Sequence, residues 1–152
     1  MILISHRGNL DGKSGFENQP ERIDYALSLN LDVEIDLWVK KNEIFLGHDN
    51  PEFKIDLDWL YQRAKNIWIH CKNLMAIELL NSLEDSHKLN YFFHDMDFCT
   101  LTSKGYVWVY PGKQPVKNSI AVMPEINNDD TSDCSGICSD YILNYENKTF
   151  KK

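Results

Sequence analysis

The chain has 152 residues and carries 16 Lys and Arg against 23 Asp and Glu, which gives a formal net charge of -7. This length suits one domain, residues 1–152, and falls well short of the ~250 residues of a typical eight-stranded (β/α) barrel. Because the basic residues are scattered and outnumbered, the sequence argues against a nucleic-acid partner.

Neither a leader nor a membrane span is expected. No apolar run approaches the ~20 residues that a membrane-spanning helix needs. The first predicted strand begins at Met1, which leaves no room for the charged and apolar regions of a secretory signal. The cysteines form no Cys-x-x-Cys pair and are expected to be free thiols in a reducing compartment. We therefore expect a cytoplasmic protein.

The first part of the chain alternates strands with helices. Met1 to Ser5 predicts a buried strand, and Gly8 to Gly15 a polar loop. Pro20 suits the first position of a helix. The apolar face of that helix comprises Ile23, Ala26, Leu27 and Leu31. A second strand, Asp32 to Val39, completes a strand, loop, helix and strand unit, which is the repeating unit of α/β folds.

The first part of the second strand, Asp32 to Leu37, alternates strictly between acidic and apolar residues. Its acidic face consists of Asp32, Glu34 and Asp36. Because successive side chains of a strand point to opposite faces, Glu34 and Asp36 share one face. Two such carboxylates repel each other unless a cation or a basic group lies between them, so they predict a site for a hard metal ion.

A short hairpin is predicted to follow this strand. Lys40 to Glu43 is polar and turn-like, and Ile44 to Leu46 reads as the returning strand. This hairpin would bring His48 close to Glu34 and Asp36.

The middle of the chain predicts further alternation. Asn50 to Ile55 is predicted to be a loop, followed by a short helix. The apolar residues of that helix are Leu57, Leu60, Tyr61 and Ala64. Next come a strand at Ile67 to Cys71, a helix at Leu74 to Leu83 and a strand at Tyr91 to Phe93 that ends at His94.

The last third predicts strands without helices, at Tyr106 to Tyr110, Ile120 to Met123 and Gly136 to Ser139. We therefore expect an α/β fold, a reduced TIM-type (β/α) barrel with about seven or eight mostly parallel strands and with helices missing from its second half.

Nearly every predicted strand ends in a polar or ionisable side chain. These residues are His6, Asp36, His70, Lys72, His94, Tyr110, Glu125 and Asp140. In parallel β/α folds, active sites lie at the carboxyl ends of the strands. The pattern therefore predicts one shared site.

Four short motifs in this order resemble the glycerophosphodiester phosphodiesterase family. They are His6-Arg7-Gly8, Glu17-Asn18, Glu34-Ile35-Asp36 and Gly47-His48-Asp49. The run from Gly136 to Tyr141 is similar to the last barrel strand of that family. The resemblance is strong over residues 1–49, and patchy from there to Lys72.

The resemblance implies a metal-dependent phosphodiester hydrolase that acts on a small glycerophosphodiester-like molecule. Glu34 and Asp36, with Glu17 nearby, would bind a divalent cation, Mg²⁺ or Ca²⁺. Arg7 and Lys72 would bind the phosphate and stabilise its developing charge. His6 and His48 would be the general acid and base, with the two roles unassigned.

One departure concerns the third acidic metal ligand of the family, part of a Glu-x-Lys pair. The aligned residues here are His70-Cys71-Lys72, so the lysine is kept and the acid is a histidine. If His70 binds the ion, the preference shifts from Ca²⁺ towards Mg²⁺, Mn²⁺ or another transition ion. If it does not, the cation is weakly bound or absent.

Several alternatives stay open. His94, Tyr110 and Glu125 either shape the pocket for the leaving group or are ordinary strand-end residues. Glu17 and Asn18 either belong to the site or cap a helix. The alternative function is a catalytically weak or inactive barrel that binds a phosphorylated sugar or glycerol ligand.

The missing helices also predict a homodimer. Uncovered strand faces need a cover, and the helix-poor part from Asp97 to Tyr145 is where a second copy would bind. The aromatic residues expected to be covered are Tyr106, Trp108 and Tyr141.

Overall fold

Ten strands form one curled, mixed sheet in the computed structural model, which describes residues 1–149. The strands are β1 (Ile2–His6), β2 (Asp32–Lys40), β3 (Glu43–Leu46), β4 (Phe53–Ile55), β5 (Ile67–Cys71), β6 (Asn90–Phe93), β7 (Cys99–Leu101), β8 (Val107–Val109), β9 (Ser119–Val122) and β10 (Gly136–Ser139). The α-helices in these residues are α1 (Pro20–Ser28), α2 (Leu57–Arg63), α3 (Leu74–Ser82) and α4 (Leu143–Thr149).

The centre of the sheet is parallel and its extensions are antiparallel. Parallel ladders join the strands in the order β6, β5, β2, β1, β10, β9 and β8. β7 pairs with β8 in an antiparallel ladder. At the other side of the sheet, β3 pairs antiparallel with the carboxyl-terminal half of β2, and β4 pairs antiparallel with β3. The carboxyl ends of the parallel strands therefore lie along one rim.

The expected reduced TIM-type (β/α) barrel is wrong, because the structure is a strand-rich, curled mixed sheet that forms a half-barrel. A (β/α) barrel needs a closed ring of parallel strands with a helix after each strand. Here β3 and β7 run antiparallel to the central strands, and the connections from β6 to β10 contain no α-helix. Within residues 1–149 no strand ladder joins β6 to β8. The loop after β7 contacts β6 instead, where the Ser103 N–H donates to the Tyr91 carbonyl oxygen at 2.7 Å.

Each face of the curled sheet has its own apolar core. The outer core lies beneath the helices and includes Val33, Ile35, Leu37, Leu60 and Leu80. The inner core comprises Ile4, Trp68, Phe92, Trp108, Ile120, Val122 and Cys138. Because Val33, Ile35 and Leu37 belong to the outer core, the alternation of β2 places Glu34 and Asp36 on the inner side.

Polar side chains define the starts of two helices. The Asp56 carboxylate accepts a hydrogen bond from the Trp59 N–H, and the Asn73 side chain accepts one from the Ala76 N–H. Strand β4 lies in the stretch predicted to be a loop, and β7 and α4 were not predicted. These three elements are short, and none has a clear periodic pattern.

All four cysteines are free, as expected. No helix within residues 1–149 is long and apolar enough to cross a membrane. Trp108 is buried in this chain's own inner core, so it is not available to a dimer interface, whereas Tyr141 is exposed. The homodimer stays a prediction.

Gly136 at the start of β10 has no room for a side chain. A Cβ there would lie 2.8 Å from the Ile2 carbonyl oxygen and 2.9 Å from Ile120 Cδ1, whereas a Cβ at Gly15 would meet nothing within 4 Å. We expect Gly136→Ala to lower the free energy of unfolding by about 1–3 kcal/mol and Gly15→Ala to change it by less than about 0.5 kcal/mol. Urea titration of both variants measures the free energy of unfolding. An equal change in the two variants would contradict the close packing of β10 against β1.

Candidate functional site

The strand ends enclose a pocket of about 170 Å³. Its lining residues are His6, Arg7, Glu34, His48, His70, Lys72, His94, Asp95, Trp108, Tyr110, Val122 and Met123. The volume is below the ~300–1,000 Å³ of common ligand pockets, so the pocket suits a small molecule.

Strand register brings the key residues together. In the β1–β2 ladder His6 lies opposite Glu34, and in the β2–β5 ladder Asp36 lies opposite His70. Pairing partners in neighbouring strands place their side chains on the same face. Residues that are distant in sequence therefore meet on the inner side of the sheet, above the aromatic residues of the inner core.

Asp36 is the centre of the charged network, and it is fully buried. Its Oδ2 accepts a hydrogen bond from Asn18 Nδ2 at 2.9 Å and another from His48 Nδ1 at 3.3 Å. Arg7 Nε lies 2.8 Å from the same oxygen and forms an ion pair without hydrogen-bond alignment. Three different segments of the chain are thus fixed to one oxygen atom.

The second oxygen of Asp36 lacks a hydrogen bond. His70 Nδ1 lies 3.1 Å from Oδ1 and Lys72 Nζ lies 3.4 Å from it, but neither contact is aligned as a hydrogen bond. Burial alone would raise the pKa of Asp36, yet the hydrogen bond from His48 and the charges of Arg7 and Lys72 hold that pKa well below its usual value. Asp36 is therefore a carboxylate.

Two residues with left-handed backbone conformation shape the loop after β1. Arg7 has φ 55° and donates its N–H to the Glu34 carbonyl oxygen, and Asn18 has φ 61° and donates its N–H to the Arg7 carbonyl oxygen. The Asn18 side chain also accepts the Asp36 N–H at 2.9 Å. These hydrogen bonds fasten the loop that contains Arg7 and Asn18 to Glu34 and Asp36 of strand β2.

Gly47 positions His48 after the β3 strand. Its φ is 151°, and a Cβ there would collide with the Asn50 carbonyl oxygen. The Gly47 N–H donates to the Asp36 carbonyl oxygen at 3.2 Å. Because glycine tolerates this conformation, the chain turns directly back towards Asp36.

A second carboxylate, Asp140, orients His6. His6 Nδ1 lies 2.7 Å from Asp140 Oδ1, and Asn9 Nδ2 donates to the same oxygen at 2.9 Å. A carboxylate accepts hydrogen bonds, so His6 carries a proton on Nδ1, and in the neutral ring the free electron pair lies on Nε2. Burial would raise the pKa of Asp140, but the hydrogen bonds from His6 and Asn9 lower it.

Glu34, Asp36 and His70 form a group that suits a metal ion. One ligand atom from each lies within 4.8 Å of the others. Glu34 is 2% exposed, and its Oε2 has no hydrogen-bond partner. Burial and the neighbouring charge of Asp36 raise the pKa of Glu34. A buried oxygen without a partner is costly unless a cation or proton binds it, so these residues fit a divalent cation.

His94 and Tyr110 form the other wall of the pocket. Their rings stack with centroids 3.9 Å apart. His94 Nε2 lies 2.6 Å from the Asp97 carbonyl oxygen, and its buried Nδ1 has no partner. Burial lowers the pKa of His94. His94 therefore presents a neutral ring beside the charged half of the pocket.

Three of the predicted site residues, Asp36, Glu17 and Glu125, are not among the residues that line the pocket. Asp36 is fully buried and contacts the lining residues Arg7, His48, His70 and Lys72. Glu17 accepts hydrogen bonds from Arg7 Nη1 at 3.2 Å and Asn9 Nδ2 at 2.8 Å. It therefore holds the guanidinium group of Arg7 in place without lining the pocket itself. Glu125 accepts hydrogen bonds from the hydroxyls of Ser139, at 2.7 Å, and Tyr145, at 3.1 Å. Glu17 is not one of the three residues of the metal-binding group.

The sequence analysis did not assign roles to Asp140 or Asn9. Asp140 did carry a signal, because it follows a strand predicted to lie in the same sheet as β1. Its pairing with His6 needs the register in which Ser5 lies opposite Ser139. Asn9 carried no signal in the sequence.

Comparisons with known proteins found no protein-family model, no curated protein and no solved structure that matches this chain.

Asn18 should contribute strongly to stability, because its amide binds both the N–H and the carboxylate of buried Asp36. We expect Asn18→Ala to lower the free energy of unfolding by roughly 2–3 kcal/mol, since the Asp36 N–H loses its side-chain acceptor, Asp36 Oδ2 loses one of its two hydrogen bonds and alanine is strained at this φ. Asn144→Ala, at an exposed position in α4, should change it by less than about 0.5 kcal/mol. Thermal or urea unfolding compares the two, and equal stabilities would contradict the proposed role of Asn18.

Proposed function

We propose that this chain is a phosphoric diester hydrolase that uses a divalent cation to cleave a small glycerophosphodiester-like molecule. The observation that carries the proposal is that one small pocket contains His6, His48, Arg7 and Lys72 around buried carboxylates. Phosphodiester hydrolysis needs these groups: two that transfer protons, and positive charges that bind the phosphoryl oxygens. The resemblance of four motifs to the glycerophosphodiester phosphodiesterase family supports the same reaction.

Arg7 and Lys72 would bind the phosphate group. Both line the pocket, and both are held by Asp36, at 2.8 Å for Arg7 Nε and 3.4 Å for Lys72 Nζ. Fixed positive groups in a partly buried site stabilise the charge of a phosphoryl transition state without having to reorganise. A divalent cation bound at Glu34 and Asp36 would neutralise a phosphoryl oxygen and make the phosphorus more electrophilic.

His6 is suited to be the general base. Its Nδ1 proton is bound to Asp140, which leaves the electron pair on Nε2 to accept a proton from water. The water oxygen would then form a bond to phosphorus as the bond from phosphorus to the leaving alkoxide breaks.

His48 is suited to be the general acid. Its side chain is 40% exposed and hydrogen-bonded to Asp36. It would donate a proton to the leaving alkoxide, and it can then be reprotonated from solvent. The stacked His94 and Tyr110 would bind the alcohol part of the substrate. The sequence expectation of a cytoplasmic setting is part of this proposal, and the four free cysteines agree with it.

The first test is turnover of a panel of small phosphodiesters with added Mg²⁺, Ca²⁺ or Mn²⁺. We expect activity that a chelator removes, and we expect His6→Ala to lower kcat by about 10²–10⁴-fold because the proton acceptor is lost. His87→Ala, at an exposed position, is the matched control and should retain full activity. Binding of phosphate esters without any turnover would reject the hydrolase and favour the ligand-binding alternative.

The second test concerns Asp140 as a positioning residue. In Asp140→Asn the new amide can donate to His6 Nδ1, which would move the His6 proton to Nε2 and remove the base. We expect kcat to fall by at least about 100-fold with little change in KM, and ¹⁵N NMR of His6 to show the changed tautomer. Exposed Asp58→Asn is the control. An unchanged tautomer together with full activity would exclude this role.

A further inference from the structure

The ring of His70 is held in one orientation. It stacks on Phe92 with ring centroids 5.2 Å apart and an angle of 8° between the planes. On its far side, Nε2 lies 3.0 Å from the carbonyl oxygen of His94. Stacking and this contact together fix which ring nitrogen faces the buried carboxylates.

The contact with His94 also fixes the tautomer. A carbonyl oxygen can only accept a hydrogen bond, so the proton of His70 lies on Nε2. The electron pair of the neutral ring is then on Nδ1. This atom lies 3.1 Å from Asp36 Oδ1 and 3.8 Å from Glu34 Oε1.

Three electron-rich groups therefore meet without a hydrogen bond between them. Asp36 Oδ1 has no hydrogen-bond donor, and neither has Glu34 Oε2, although both side chains are buried. Their ligand atoms lie within 4.8 Å of one another. One ion about 2.0–2.6 Å from each atom could therefore contact all three.

The charge of the surrounding network also favours a divalent cation. Its buried or half-buried carboxylates are Glu17, Glu34, Asp36 and Asp140, and exposed Asp49 joins it through His48 Nε2 at 3.5 Å. Within residues 1–149, the side chains with a permanent positive charge that form ion pairs with these carboxylates are Arg7 and Lys72. With neutral histidines, the four buried or half-buried carboxylates exceed these two positive charges by two, which one divalent ion would balance.

We propose that His70 binds the cation through Nδ1, and that the site therefore selects a first-row transition ion such as Mn²⁺ over Ca²⁺. The inference rests on the proposed function only in that both involve the same pocket. Imidazole nitrogen is a poor ligand for Ca²⁺, which prefers six to eight oxygen atoms, whereas transition ions bind imidazole together with carboxylates. The His94 carbonyl acts on the ion indirectly, since it orients the ligand ring.

The test is pulsed EPR of Mn²⁺ bound to the full chain with ¹⁵N-labelled histidine. We expect coupling to one imidazole nitrogen in the wild type and none in His70→Glu. His48→Ala and His87→Ala should keep the coupling, because the signal comes from His70. His70→Gln is a second variant that removes the nitrogen electron pair without adding charge, and it should also abolish the coupling.

Calorimetric titration provides the second readout. We expect the wild type to bind Mn²⁺ at least ~10-fold more tightly than Ca²⁺, and His70→Glu to reduce this preference to below ~3-fold. The wild-type measurement needs no variant, so it remains decisive even if the substitutions impair folding. Bound Mn²⁺ without nitrogen coupling, equal affinity for both ions, or no binding of either ion would each overturn the assignment of His70.

These results separate the inference from the proposed reaction. Nitrogen-coupled Mn²⁺ without any phosphodiester turnover would reject the hydrolase and retain His70 as a ligand. Turnover that is supported by Ca²⁺ bound through oxygen atoms alone would retain the hydrolase and reject His70 as a ligand.

Discussion

The structure of the pocket depends on one buried negative charge, the carboxylate of Asp36. A carboxylate with no solvent exposure is strongly destabilising unless positive or hydrogen-bonding groups surround it. Here those groups come from four parts of the chain, and they are Arg7, Asn18, His48 and Lys72. Removing one partner of a buried ion pair typically lowers the free energy of unfolding by about 3–5 kcal/mol. Substitutions at the partners of Asp36 are therefore expected to affect the stability of the fold as well as the pocket.

The alternation of strand β2 explains how one strand serves two purposes. Val33, Ile35 and Leu37 lie in the outer core beneath the helices, and Glu34 and Asp36 lie on the inner side. A shift of the register by one residue would exchange the two sets and bury the acids beneath the helices. The apolar packing of the outer core therefore determines where the charges of the pocket lie.

Much of the candidate site could be predicted because its signals are local. The alternation around Glu34 and Asp36 and the motif that contains His6 and Arg7 are each visible within a few residues. The pairing of Asp140 with His6 was not visible, because it depends on the ladder between β1 and β10. The same limit applies to Glu125, which follows a predicted strand but binds Ser139 and Tyr145 instead of lining the pocket.

The fold was predicted only in part. The order of β1, β2, β5 and β6 in the parallel centre agrees with the repeated strand and helix pattern of the first half. The closed barrel was wrong because sequence periodicity does not report strand direction or pairing. β3 and β7 run antiparallel to the central strands, and within residues 1–149 no ladder joins β6 to β8. Short strands such as β7 have too few residues to show a period.

The most direct test of the central claim is a crystal structure of the chain grown with Mn²⁺ and inorganic phosphate. The account predicts an anomalous peak about 2.0–2.3 Å from oxygen atoms of Glu34 and Asp36. It also predicts a phosphate ion between that peak and the side chains of Arg7 and Lys72, with His6 and His48 on either side. A structure with no ion and no phosphate in the pocket at saturating concentrations would contradict it.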